Sequence, residues 1–364
     1  MTATPFPTVP PRGVEPAHPA GARAAGGPLT PDALGARFVT PPDPRPLLFV
    51  VVDTEEEFDW NAPLSRQQTA VRAMRALERG HVLLRGFGVR PTYVIDYPVA
   101  TRPDGYRPVL DLVKDGSCAI GAHLHPWVTP PHLECVTGAN SYGCNLPAAL
   151  ERAKIERLRD AVAERFGAPR AFKAGRYGFG RSTAAALDAL AFDVDLSINP
   201  TLRPTADGGP SFAAFDSRPF LFGRRPLLEL PCTHDYVGRA GRFRRPLHRA
   251  ASGAVGRRLR APAVLARAGL VNHVMLSPES SSLTEMIALA TDLHRQGLTT
   301  FSLTFHSPSL EPGHTPYVRS AIALVHFLDR IRGFCDFFFG TLGGACGTPA
   351  EFRLAALASR DMTS

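Results

Sequence analysis

Residues 45–55, Arg-Pro-Leu-Leu-Phe-Val-Val-Val-Asp-Thr-Glu, narrow the fold more than any other stretch. Six consecutive apolar residues, half of them β-branched, leave no polar face. The run therefore predicts a strand covered on both sides, as in a parallel sheet. It ends in acids. A side-chain period of two puts Val51, Asp53 and Glu55 on one face, while Glu56 points away unless the chain has already turned.

The same logic extends along the chain. Helical spacing of Val71, Met74 and Leu77 predicts a helix over 66–87, and residues 91–97 read as a second strand before a short helix from Asp104 to Lys114. Residues 118–125 form a third strand, followed by a long loop (126–146) and an amphipathic helix from Leu146 to Phe166. Further strands are expected at 171–178, 193–199, 227–232, 271–279 and 299–307, with helices at 182–191, 283–296 and 317–332. Strands alternating with helices imply parallel βαβ units, and seven or eight of them favour an α/β barrel over an open sheet. One barrel over 45–340 accounts for most of the 364 residues, with a C-terminal extension at 341–364. The Pro/Ala/Gly-rich residues 1–44 lack the apolar core of a secretory signal and read as a disordered tail.

The third strand carries the chemistry. In Gly-Ala-His-Leu-His-Pro-Trp (121–127), the period of two puts His123 and His125 on one face, and Pro126 ends the strand there. Other polar residues fall at the C-terminal ends of strands: Asp53 and Glu55 after the first, Lys173 and Arg176 around the fourth, His306 after the last. In parallel barrels the site is built at that edge. Two imidazoles and one carboxylate suit a catalytic divalent metal, zinc first, with nickel, cobalt or manganese as alternatives. A second carboxylate then serves as general base and a distant histidine protonates a leaving group, which adds up to hydrolysis of an acyl or amide bond.

Composition excludes other classes. No stretch of about 18 apolar residues suggests a membrane span. The formal charge of +8 is due mainly to arginines, densest at 239–260, and no nucleic-acid motif accompanies them, so this patch reads as a solvated face. Six cysteines show neither C-x-x-C spacing nor a dense framework, which points to a reducing, cytoplasmic setting. Oligomeric state is not legible.

Four motifs together resemble a known family. Val-Asp-Thr-Glu-Glu-Glu-Phe-Asp-Trp (52–60), the histidine motif at 121–127, Phe-Lys-Ala-Gly-Arg-Tyr-Gly (172–178) and Leu-Thr-Phe-His-Ser-Pro-Ser-Leu (303–310) occur in the order of the polysaccharide deacetylase superfamily, the NodB-homology carbohydrate esterases, with most similarity to the WalW-like branch. The resemblance implies a distorted (β/α)7 barrel and metal-dependent removal of N- or O-acetyl groups from a carbohydrate. It implies Asp53 as catalytic base and His306 as general acid. The family's second acid is replaced by Thr54, so Glu55 is the expected third metal ligand, with Glu56 second. The histidines are one residue apart rather than three. Lys173 stands where the family has an arginine that orients the base, with Arg176 nearby, and a lysine is a point donor rather than a fork. Glu56, Trp127, Tyr97 and Glu229 are the expected substrate contacts. Asp96, His234, Asp235 and the loop residues Asn140, Ser141 and Tyr142 are weaker candidates.

Three other readings compete. An amidohydrolase-type enzyme also uses His-x-His, but on its first strand. A glycosidase built on Asp53 and Glu55 leaves the histidines idle. A deacetylase-like sugar-binding protein without turnover fits the altered second acid and the lysine.

Overall fold

The computed structural model describes residues 28–204 and 207–361, so the tail reading for residues 1–27 lies outside the described residues. The 45–55 run forms β2 (Leu47–Thr54), buried from Leu48 onward. Its two faces serve two cores. Leu48, Val50 and Val52 pack outward beneath the helices, while Phe49 and Val51 face the concave interior in line with Asp53.

The remaining strands are β1 (Arg37–Phe38), β3 (Thr92–Ile95), β4 (Ala119–Leu124), β5 (Ala171–Ala174), β6 (Val194–Asp195), β7 (Phe220–Phe222), β8 (Leu227–Glu229), β9 (His234–Val237), β10 (Asn272–Met275), β11 (Thr300–His306) and β12 (Ala345–Cys346). Parallel pairing runs β11–β2–β3–β4–β5–β6–β8, and β7 and β1 then add antiparallel. Beside β3, β12 pairs with the start of β2. Helices at Leu77–Arg85, Ala148–Phe166, Arg181–Ala189, Leu283–Arg295 and Ala321–Cys335 cover the convex face through residues such as Leu84, Leu158, Leu187, Leu289 and Phe327.

The sheet curls without a continuous ladder closing it. Between β8 and β11 sits a separate antiparallel pair, β9 with β10, and closure rests on single contacts such as Thr304 N donating to Leu276 O at 3.1 Å. The segment expected as a barrel strand at 271–279 is therefore one arm of a long hairpin. The expected 193–199 strand shortens to two residues. The expected helix at 66–87 starts later, as a 3₁₀ turn at Arg72–Ala76 followed by Leu77–Arg85, because Glu57 N bonds Ala70 O at 2.7 Å and holds the preceding chain extended. The helix expected at 317–332 begins at Ala321, where Ser320 caps Ala323 N.

The chain on either side of the barrel is structured as well. Within the stretch read as tail, Pro31–Leu34 form one helical turn and β1 pairs with β7. The C-terminal helix Pro349–Asp361 puts Phe352 into the interior apolar cluster with Phe49, Val51, Val94, Ala171, Val194 and Leu228. Arg353 ties it down by donating to Pro226 O at 2.8 Å and pairing with Asp193 at 3.2 Å. The concave interior is thus apolar at the bottom and polar at the top.

Candidate metal centre and acid–base site

Sheet register brings the site residues together. His306 lies beside Asp53 across β11 and β2, and His123 beside Lys173 across β4 and β5. After β2 the chain turns. Thr54 Oγ1 bonds its own strand at Val52 O, Asp96 N donates to Thr54 O, and Glu56 N donates to Asp96 Oδ2 at 2.6 Å. That turn keeps Glu55 on the side of Asp53 and swings Glu56 behind the histidines.

Glu55 Oε2 stands 3.4 Å from both His123 Nε2 and His125 Nε2. The imidazoles are oriented from behind: His123 Nδ1 donates to Lys173 O at 3.1 Å, and His125 Nδ1 donates to Glu56 Oε2 at 2.7 Å. Burial holds both histidines below their ordinary pKa, His125 at about 4, so both are neutral and turn Nε2 lone pairs toward Glu55. Burial pushes Glu55 up to about 7, and its Oε1 has no hydrogen-bond partner. Three acceptors converging on one dry point, one with an orphaned oxygen, fit a divalent cation. Glu56, Asp96 and His125 form a second close group. Glu56 and Asp96 are occupied, however: Glu56 Oε1 accepts from Trp127 Nε1 at 2.9 Å, and Asp96 caps Val99 N at 2.7 Å. They act as the support of His125.

The histidine loop is held by groups the sequence reading did not single out. Buried Lys154 donates to Pro126 O and Thr129 O and pairs with Glu134 at 3.0 Å. Trp127 stacks on His125 at 4.2 Å. Gly175 leaves room for the His125 ring, since a Cβ there would stand 2.5 Å from Leu124 O.

Across the cleft, Lys173 Nζ donates to Asp53 Oδ1 at 2.6 Å, to Oδ2 at 2.8 Å and to Thr304 Oγ1 at 3.1 Å. The ammonium reaches both carboxylate oxygens, so the point donor does span the base. Burial raises the Asp53 pKa, but Lys173 and the neighbouring histidines outweigh it and hold the carboxyl below its ordinary value. His306 Nε2 lies 3.7 Å from Asp53 Oδ2. Its Nδ1 donates to Glu279 Oε2 at 2.8 Å, and its backbone N donates to Glu279 Oε1 at 3.1 Å. Burial opposes charge on this imidazole, yet Glu279, Glu55 and Asp53 prevail and raise it to about 10. Trp60 stands edge-on to it at 5.4 Å, with Tyr317 parallel at 6.3 Å. Glu279 was absent from the sequence candidates, although an acid just past β10 is the same strand-end signal that marked Asp53.

Five expected residues sit elsewhere. Arg176 reaches Ser141 and Asp207 and lies 4.4 Å over the Tyr142 ring, clamping the long loop rather than the base. Glu229 is fully buried beside Asp195 and accepts from Ile198 N at 3.0 Å, so it faces no solvent. Tyr97 interacts with Arg157, its ring 5.9 Å below the guanidinium. Glu56 is fully buried and Trp127 nearly so; both serve His125, which corrects their expected place at the substrate.

No family model matches the chain, and no curated protein matches it by sequence. Solved structures do match. One from Mycobacterium smegmatis, assigned as a polysaccharide deacetylase, superposes with a TM-score of 0.50 at 17% identity over 92% of this chain and 96% of that one. A family 4 carbohydrate esterase from Streptomyces lividans, solved with acetate, gives 0.37 at 11% identity over 83% and 91%. A family 4 pseudoenzyme from Bacillus anthracis gives 0.41 at 8% identity over 85% and 66%. The first likeness establishes a shared fold; the other two are too distant to argue from.

Proposed function

We propose that the chain is a metal-dependent hydrolase that removes acetyl groups from nitrogen or oxygen of a carbohydrate, of the polysaccharide deacetylase superfamily and its WalW-like branch. The observation that carries this reading is the convergence of Glu55, His123 and His125 on one point, flanked by the Asp53–Lys173 and His306–Glu279 pairs.

Glu55, His123 and His125 would hold the ion, zinc by preference for such a ligand set. A cation there supplies Lewis acidity that polarises the acyl carbonyl and makes water more acidic. Asp53, kept ionised and fixed by Lys173, takes the proton of the attacking water. His306 is protonated at neutral pH and fixed through Nδ1 by Glu279, so Nε2 presents a proton for the departing amine or hydroxyl. Acid and base thus have opposite charge states, set by their neighbours. Their 3.7 Å separation supports a role for both at one reacting centre.

Six unpaired cysteines support a cytoplasmic location for this activity. Among the described residues no helix is long and apolar enough to cross a membrane. The test is acetate release from N- and O-acetylated oligosaccharides by metal-loaded protein, against Asp53→Asn and His306→Ala. Acetate release lost in both variants, with metal still bound, is the expected result. Metal binding without any acetate release would favour the sugar-binding reading instead.

A further inference from the structure

The hairpin that fills the gap between β8 and β11 carries a 34-residue insertion, residues 238–271, folded as three short helices at Arg244–Ala251, Ala254–Arg258 and Ala261–Arg267. Residues 236–278 contain nine arginines and no Asp, Glu or Lys, whereas the whole chain carries +8, so the remainder stands at −1. The entire positive excess of the protein is in this one segment. Arg244 and Arg245 are paired, to Asp292 and Asp235. Among the described residues, Arg239, Arg242, Arg249, Arg257, Arg258, Arg260 and Arg267 have no carboxylate within ion-pair distance, and all seven are exposed.

The same segment exposes apolar side chains. Phe243, Val255, Leu259, Val264 and Leu270 make up five of the eleven large hydrophobic residues exposed on the described protein. Val255 and Leu259, 73% and 70% exposed, lie one helical turn apart and share a face. A surface both strongly basic and apolar is costly in water, and the two properties together restrict what covers it. A nucleic-acid backbone would engage the arginines but leave the aliphatic side chains in water. An anionic bilayer satisfies both, with headgroups against guanidinium and the acyl boundary against Val, Leu and Phe.

We propose that the 238–271 insertion docks the protein reversibly on an anionic membrane surface. The docked segment is continuous with β10, whose Met275 lines the small cleft beside His306 together with Ser277 and Glu279. Docking thereby tethers the hairpin that borders the site.

The test is flotation of the full-length protein with vesicles of phosphatidylcholine alone or with phosphatidylglycerol, over a range of salt. Binding is expected only with phosphatidylglycerol and is expected to weaken as salt rises. Arg257→Glu/Arg258→Glu/Arg260→Glu should weaken it by about 100-fold or more. Val255→Ser/Leu259→Ser should weaken it by roughly tenfold. All five positions are exposed, and circular dichroism checks that each variant is folded; for a variant that is not, Arg242→Glu/Arg249→Glu takes its place. Equal binding to both vesicle types, no binding to either, or binding unchanged in both variants would overturn the proposal. So would tight binding of a DNA duplex that Val255→Ser/Leu259→Ser leaves untouched, with the vesicles ignored.

Discussion

Asp53 and Lys173 are buried opposite charges, and each stabilises the ionised form of the other. Removing the lysine leaves a carboxylate without compensation in a dry interior, a change that costs about 3–5 kcal/mol. Lys173→Met should therefore lower urea stability by roughly that amount, whereas Lys173→Arg, which keeps the charge, should lower it less. Glu279 acts on His306 in the same manner. Its negative charge is the leading contribution that holds the imidazole protonated against burial. Glu279→Gln should thus move the basic limb of the pH–rate profile to lower pH and reduce kcat by about 10²-fold or more. A profile unchanged by this substitution would remove His306 from the role of acid. At this scale the sequence was informative where a residue sat on or just past a strand of strong pattern: period two pairs Asp53 with Glu55 and His123 with His125, and His306 follows from its place at a strand end. Glu56 did not, because its position depends on the turn that Asp96 fixes from another strand. Lys154 was hidden for the same reason, since its partners Pro126 and Thr129 are more than 20 residues away.

The elements around the histidines set their aim. β4 ends at Leu124, two residues before Pro126, and the chain beyond is held by Lys154, by Trp127 and by the narrow approach of Gly175. Two substitutions separate aim from fold. Glu56→Gln keeps the shape but weakens the acceptor on His125 Nδ1, and metal affinity should fall by about 10–100-fold with little loss of stability. Gly175→Ala forces a methyl against Leu124 O and the His125 ring, so metal affinity and stability should fall together. Isothermal titration and urea unfolding of both variants distinguish the cases; equal stability losses would show that Glu56 is merely a packing residue. The elements that the sequence misplaced lie where local propensity is overridden from outside. The helix expected from residue 66 is delayed by the Glu57–Ala70 bridge, and the 271–279 strand is drawn into a hairpin with β9.

For the whole molecule, a polar mouth rests on an apolar interior closed by the C-terminal helix. Phe352 packs at 5.6 Å against Phe49, on the strand and the face that lead to Asp53. Phe352→Ala should cost about 3–5 kcal/mol in global stability. The buried site should nonetheless retain its metal at low temperature. The alternation of strands and helices made the α/β class and the parallel sheet legible, but the sheet expected to close as a barrel only curls. The hairpin that fills the gap was not legible, because a 34-residue insertion separates its arms. The floor formed by residues 349–361 was not either, since a short amphipathic helix carries no signal of which cavity it enters.

All of the proposed chemistry depends on Glu55, His123 and His125 holding one ion. The direct measurement is the metal content of the purified protein by elemental analysis, for wild type and for Glu55→Ala, His123→Ala, His125→Ala and Asp53→Asn. About one equivalent of a divalent ion in the wild type and in Asp53→Asn, with little in the other three, is the predicted result. No uptake by the wild type on titration with zinc, or full retention without Glu55, would contradict the assignment of the centre.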